Sequence, residues 1–324
     1  MSKPFISKNN PFNENPAEGE IFSYSYITPK YWMTWVFLGL SFIVAHLPFI
    51  TRKFLGEMIG RILYKFNSQK KKIIKINLSL TFNNISDNEI EEITQSFFRN
   101  LGHMYMSLPS LWWKSDTKIQ KSIQKQNLQY IDDTLANNQS VILLAPHTLS
   151  LDYGGRALSE YNLLSMYKPF KNSLMNWFIG KSRSKDTDKV IVYPRDKTSI
   201  KKIIRKMKKP SVLYFLADED ISPEDSLFSK FFDTNKTSLK SVSKLAKITN
   251  AKVIPCTCHF DINTNCYLFN VMEKLENFPS GNIEDDCRKI NSTLEKQILI
   301  DKSQYMWTLR IYKHREDGSD IYKL

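Results

Sequence analysis

VILLAPHTLSLDYGG, Val141 to Gly155, runs five apolar residues into a proline, presents a histidine, and meets an aspartate five residues after it. A short unbroken aliphatic run of this kind predicts a strand buried on both faces, and the residues from about Ser150 predict a helix. His147 then stands just beyond a strand end and Asp152 in the first turn of a helix, which is where catalytic groups of α/β folds gather. Five residues along one ideal helix would set two side chains about 140° apart, so contact requires His147 to lie outside the helix. Pro146 supplies that position. From there Asp152 is expected to accept the imidazole N–H, fix its tautomer and stabilise the imidazolium, making the pair a general base with its orienter. A histidine satisfied by a helix-capping aspartate uses the same residues, and the spacing alone does not separate the two.

On either side the pattern alternates. Helix is expected at LQYIDDTLANN, after VILLA from about Ser150, at SLMNWFIGKSR, TSIKKIIRKMKK, SLKSVSKLAKITN and NIEDDCRKINSTLEKQIL. Strand is expected at VILLA, NLLSMY, KVIVY, SVLYFLA, AKVIPCTCHF, CYLFNVMEKL and near YMWTLRIYK. Upstream, ISDNEIEEITQSFFRNLGHMYM opens with Ser86 and Glu89 in capping-box spacing. The fold class is therefore α/β, a central mostly parallel or mixed sheet flanked by helices.

Tyr31 to Ile50, YWMTWVFLGLSFIVAHLPFI, contains no Asp, Glu, Lys or Arg and is about long enough to cross a bilayer as a helix. It is expected to be an N-terminal membrane anchor. His46 and Pro48 near its end leave a shallow or re-entrant insertion, or a buried core helix, as the other readings. Polar residues precede it and no small-residue cleavage site follows, so it is not expected to be a removable signal. Eight Lys and Arg between Arg52 and Lys75 are opposed only by Glu57, which by the positive-inside rule puts the rest of the chain in the cytoplasm. The expected organisation is a polar segment at 1–30, the anchor at 31–50, a helical membrane-proximal region at 51–120 and an α/β catalytic domain at 121–324.

The 324 residues carry 46 Lys and Arg against 33 Asp and Glu, a formal charge of +13, which favours a polyanionic partner. Nucleic acid would want a recognisable binding motif, and none is present. Four cysteines form no disulfide framework in a chain this long, and a reduced compartment is the simpler reading. Cys256 and Cys258, followed by His259, lie in an expected buried strand without the paired C-x-x-C spacing of structural zinc, so no metal is assigned.

Several blocks together resemble the late acyltransferases of bacterial lipid A biosynthesis. PHTLSLDYGGR is similar to that family's H-x-x-x-x-D/E motif. YWMTWVFLGLSFIVAHLP looks like its anchor, and NLSLTFNNISDNEIEEITQSFFRNLG like the helical region after it. LADEDISPEDSLFSKFF resembles its Asp-x-Asp loop, and QYMWTLRIYKHREDG its C-terminal segment. The resemblance covers nearly the whole chain. It implies transfer of a fatty acyl group from acyl carrier protein to a hydroxyl of a Kdo-bearing, tetra-acylated lipid A precursor at the bacterial inner membrane, without a cofactor. The partners would be the carrier protein, the lipid A precursor and anionic membrane lipids.

His147 would then take the hydroxyl proton, oriented by Asp152, and backbone N–H groups after Pro146 would meet the oxyanion. Substrate-binding roles fall on Arg156, Lys168, Arg183, Asp218 and Asp220, with Lys181 a rival to Arg183. Departures from the family pattern are Asp152 where Glu is usual, Lys168 where Arg is usual, Leu309 for His and Asn83 for Pro. Phe228, Phe231 and Phe232 line an acyl pocket or pack the core. The basic helix SIKKIIRKMKK suits anionic lipid, an acidic carrier protein, or simply a solvated surface. Two other accounts share parts of this pattern. A lysophospholipid or glycerol-3-phosphate acyltransferase would want an arginine-bearing phosphate motif that FPSG at 278–281 lacks, and a non-catalytic basic scaffold would not depend on His147.

Overall fold

The computed structural model describes residues 22–184, 187–221 and 224–323, without the Lys197 side chain; most of the expected polar segment, residues 1–21, lies outside them. The chain begins with helices α1 (Trp32–His46), α2 (Phe49–Phe66), α3 (Ser68–Thr81), α4 (Asp87–Trp113) and α5 (Asp116–Gln120). Strand β1 (Ile123–Gln126), α6 (Gln129–Ala136), β2 (Val141–Ala145), α7 (Leu151–Ala157), β3 (Leu163–Tyr167), α8 (Ser173–Arg183), β4 (Val190–Pro194), α9 (Lys197–Lys206) and β5 (Val212–Leu216) follow. The order closes with the hairpin β6 (Ser226–Phe231) and β7 (Thr234–Leu239), α10 (Ser241–Thr249), β8 (Lys252–Asp261), β9 (Cys266–Val271) and α11 (Ile283–Ile300).

The main sheet has seven strands in the order β1-β9-β8-β2-β5-β3-β4. Every neighbouring pair is parallel except β8 with β9. All five residues of β2 are buried, and its side chains divide by alternation: Ile142 and Leu144 join one apolar cluster, Val141, Leu143 and Ala145 the other. A strand covered by helices on both faces has no polar side to show, which is why VILLA does not alternate.

The anchor expected at 31–50 is not one helix. α1 ends at His46, Leu47 turns to ψ 147°, and Pro48 opens α2. Fifteen residues rise about 22 Å, short of the roughly 30 Å of a bilayer core, and no described helix is long and apolar enough to cross a membrane. α1 is held on one side to the protein: the Trp113 indole donates to Ser41 Oγ (2.8 Å) and Asn172 donates to Thr34 Oγ1 (2.8 Å). Its other side exposes Trp32, Met33, Val36, Leu40 and Ile43, and α2 exposes Ile50, Phe54, Met58, Ile62 and Phe66 at steps of four.

α4 carries the expected capping box between Ser86 and Glu89, and α2 packs on it through glycines. The strand expected near YMWTLRIYK is absent. Tyr305, Trp307, Ile311 and Tyr312 are buried, but the backbone bonds of this segment go elsewhere: the Met306 N–H to the His147 carbonyl (2.8 Å), and the Trp307 and Leu309 carbonyls to the Asn77 amide. Only Tyr305 makes an isolated bridge, to Thr148.

Candidate active site

β2 and β5 lie side by side and parallel, with Ala145 opposite Leu216. Two residues further along each strand come His147 and Asp218, so the register alone brings them together. Asp218 is wholly buried and uses both carboxylate oxygens. Oδ1 accepts from His147 Nδ1 (2.6 Å) and Oδ2 from the His147 backbone N–H (2.8 Å). In the neutral imidazole this puts the proton on Nδ1 and leaves Nε2 as the acceptor. Nε2 lies 3.5 Å from Glu219, whose carboxylate is held by Arg195 at 2.5 Å. Burial disfavours the charged imidazole, but the Asp218 carboxylate, its hydrogen bond and Glu219 outweigh it and hold the His147 pKa above the ordinary histidine value. Asp218 is pushed up by burial and pulled further down by His147, ending below the usual aspartate range.

The carboxylate bonded to His147 is thus Asp218, where Asp152 was expected. Asp152 sits in the first turn of α7 as expected, yet its partner is Arg183 at the end of α8 (3.2 Å). The physical reason is the turn between: Thr148 to Ser150 are tied to Cys258, Gln304 and Tyr305, which turns the imidazole toward β5 and away from α7. The amides expected to meet an oxyanion are also engaged, those of His147, Thr148 and Leu149 donating to Asp218, Pro146 and Gln304.

Asp152 and Arg183 stand on the wall of a cavity of about 150 Å³ otherwise lined mainly by apolar residues, among them Leu108, Trp112, Met166 and Val192. Gly155 also faces it, and a Cβ there would meet nothing within 4 Å. Arg183 lies over the Tyr167 ring at 5.6 Å. Arg156, buried, is part of the same wall, donating to Asp116 (3.3 Å) and to the carbonyls of Leu111 (3.3 Å) and Ser182, so it fastens α4, α5 and α8 around the cavity. Lys168 is exposed just past β3, at the same sheet edge. Lys181 is exposed, unlike its neighbour Arg183. Phe231 belongs to the core, beside Tyr312, and Phe228 is partly exposed; neither lines the cavity.

Asp220 repeats the geometry of Asp218 on a second histidine. Its oxygens take His314 Nδ1 (2.5 Å) and the His314 backbone N–H (2.7 Å). Both acids of the Asp-x-Asp loop are thus bound to histidines. Among the described residues no group of three or more His, Cys, Asp and Glu is placed to hold a metal. Cys256 and Cys258 point into one apolar cluster, where burial pushes both thiols up.

Glu219, Arg195, Lys236, Gln304 and His314 are site residues that sequence reasoning missed. Arg195 had a signal available, following the expected strand KVIVY, and Gln304 and His314 lie in the quoted C-terminal block QYMWTLRIYKHREDG. Lys236 had none, because only the hairpin brings it there.

The sequence resemblance names a family, and comparison with known proteins agrees with it. The family model for bacterial lipid A biosynthesis acyltransferase matches residues 20–314. A lipid A biosynthesis acyltransferase of Haemophilus influenzae is 28% identical over 308 residues, covering 93% of this chain and 94% of that protein. The lipid A biosynthesis palmitoleoyltransferase of Escherichia coli is 26% identical over 304 residues (93% and 98%). The lauroyltransferase of the same organism is 25% identical over 299 residues (92% and 96%). A match that spans both the helical segment and the sheet, and contains His147, Asp152 and Asp218, leaves one assignment: the chain belongs to the bacterial lipid A biosynthesis acyltransferase family.

Proposed function

We propose that the protein transfers a fatty acyl group from acyl carrier protein to a hydroxyl of a Kdo-bearing, tetra-acylated lipid A precursor, at the cytoplasmic face of the bacterial inner membrane. The observation that carries the mechanism is the double hydrogen bond from His147 to Asp218, which in the neutral imidazole puts the proton on Nδ1 and leaves Nε2 to accept one. The acceptor hydroxyl loses its proton to Nε2 as its oxygen attacks the thioester carbonyl carbon. The tetrahedral intermediate then collapses, the C–S bond breaks, and the proton on Nε2 passes to the departing thiolate. Asp218 stabilises the imidazolium between these steps. Asp152 holds Arg183 at the cavity wall, where the guanidinium meets a polar or anionic part of a substrate.

The cavity takes the donor's acyl chain. Gly155→Leu is expected to fill part of it: transfer from the longest accepted donor falls by about tenfold or more, at about 0.8 kcal/mol for each displaced methylene, while shorter donors are used nearly as before. A panel of acyl-carrier-protein donors of graded length reads this directly.

Membrane attachment is proposed to run through α1 and α2 lying in the cytoplasmic leaflet, in place of a single-pass span. The exposed apolar rows of both helices support this, together with basic residues such as exposed Arg61. Exposed Lys201, Lys208 and Lys209 in and after α9 suit an acidic carrier protein. The test is acyl transfer by detergent-solubilised protein with either Kdo-lipid A precursor or lysophosphatidic acid as acceptor. Transfer to the lipid A precursor, lost in His147→Ala, supports the proposal; transfer only to the lysolipid overturns its acceptor, and none to either overturns it entirely.

A further inference from the structure

Lys236, on β7, has no exposed surface at all. Its ammonium donates to the backbone carbonyls of Asp218 (3.0 Å) and Thr237 (3.3 Å) and lies 5.1 Å from the centre of the Phe231 ring. Among the described residues no carboxylate oxygen lies within ion-pair distance of it. Burying a cation without a direct ion pair is costly, so a fold keeps one where its charge is used. Directly above it run three consecutive acids, Asp218, Glu219 and Asp220. Two of them touch His147, and the third holds His314. Arg195 faces the same group from the end of β4 and is already paired with Glu219.

We infer that Lys236 is a positioning residue for His147: its buried ammonium fixes the Asp218 backbone and offsets the negative charge of Asp218, Glu219 and Asp220, so that the imidazole stays available as a base. The inference rests on the proposed role of His147 in acyl transfer. Without the cation, two carboxylates act on the imidazole with only Arg195 against them, and the ring holds its proton at a pH where it must release it. Burial holds the Lys236 pKa below its ordinary value, and Asp218, Asp220 and Glu219 oppose that fall. The groups facing His147 are Asp218 and Glu219 after β5 and Arg195 after β4. Those facing Lys236 are the same two acids, Asp220, and Cys287 of α11.

The test compares the parent with Lys236→Met, which keeps the length and removes the charge, and Lys236→Gln, which keeps a donor for the carbonyls. His147 is titrated by NMR on protein carrying labelled histidine, its signal assigned by loss in His147→Gln, and the pH profile of kcat/KM is recorded beside it. The expected result is an upward move of the His147 titration by about one pH unit in both variants, with the acid limb of kcat/KM moving by the same amount and transfer recovering at high pH. An unmoved titration in either folded variant overturns the inference, whatever happens to the melting temperature. If the Met variant does not fold, the Gln variant decides. Because the titration needs no substrate, a shifted His147 in a chain without transfer activity supports the charge role and overturns the proposed reaction instead.

Discussion

Asp218→Asn is expected to slow acyl transfer by roughly 10³- to 10⁴-fold, about as much as loss of the orienting carboxylate costs other histidine-based catalysts. The argument lies in the two bonds that Asp218 accepts. Its Oδ2 takes the backbone N–H of His147 and its Oδ1 takes Nδ1–H, all inside a wholly buried site. An asparagine has one oxygen to offer. If that oxygen keeps the backbone bond, the NH₂ group faces Nδ1 and forces it to accept, and the imidazole proton moves to Nε2. The base then carries its proton on the atom that must receive one. His147→Ala is expected to cost about 10²- to 10⁴-fold, and the double variant about as much as the more severe single one, since both remove the same unit. Asp152→Asn is expected to lower activity through Arg183 while leaving the pH dependence in place. A profile that moved with Asp152→Asn and not with Asp218→Asn would reverse the two roles.

The same geometry sets the sign of the pH response. The His147 pKa is held above its ordinary value of about 6.5. The imidazolium cannot accept a proton, so kcat/KM falls as the pH drops through the folded-state value, and the acid limb lies above that of an ordinary histidine. Removing the Asp218 charge removes the largest influence that raises this pKa. In Asp218→Asn the residual activity should therefore show its acid limb at lower pH than the parent.

How much of this was legible depended on whether the sequence signal was local. VILLA gave the central strand, and Pro146 gave His147 its place outside the helix, because both follow from residues adjacent in the chain. The partner of His147 did not follow, since Asp218 reaches it through the register of β2 against β5, seventy-one residues apart. Asp152 was the nearer acid along the chain and Asp218 the nearer one in space. The C-terminal segment misled for a related reason. Its buried Tyr305 and Trp307 alternate as in a strand, yet their role is to seat a loop whose backbone bonds close on His147 and Asn77. Likewise the apolar stretch at 31–50 counts as long enough to span until Pro48 is given its weight: it cannot continue the donor pattern of α1, and the chain turns there.

Gly102→Val is expected to separate α2 from α4, with a cost of about 3 kcal/mol, the upper end of ordinary overpacking. A Cβ at Gly102 would stand 2.1 Å from the Gly56 carbonyl oxygen and 2.6 Å from the Gly60 nitrogen, and one at Gly60 would stand 2.6 Å from the Phe98 carbonyl oxygen. These are backbone atoms of two helices pressed together, so no rotamer change relieves the clash; one helix must move. Glycine costs about 1 kcal/mol in a helix interior relative to alanine, and its use at three facing positions marks the contact as worth more than that. The movement should stay local, because α3 and the first half of α4 share the sheet's apolar cluster through Ile74, Leu78, Phe97 and Phe98. Hydrogen exchange is then expected to show the amides of α2 opening while those of β2 stay protected, with transfer largely kept in detergent and lowered on liposomes, where the apolar row of α2 would be needed. Gly39→Ala is the control, since a Cβ there meets nothing within 4 Å. Equal protection of α2 in parent and Gly102→Val would remove the glycine contact as the tie between α2 and α4.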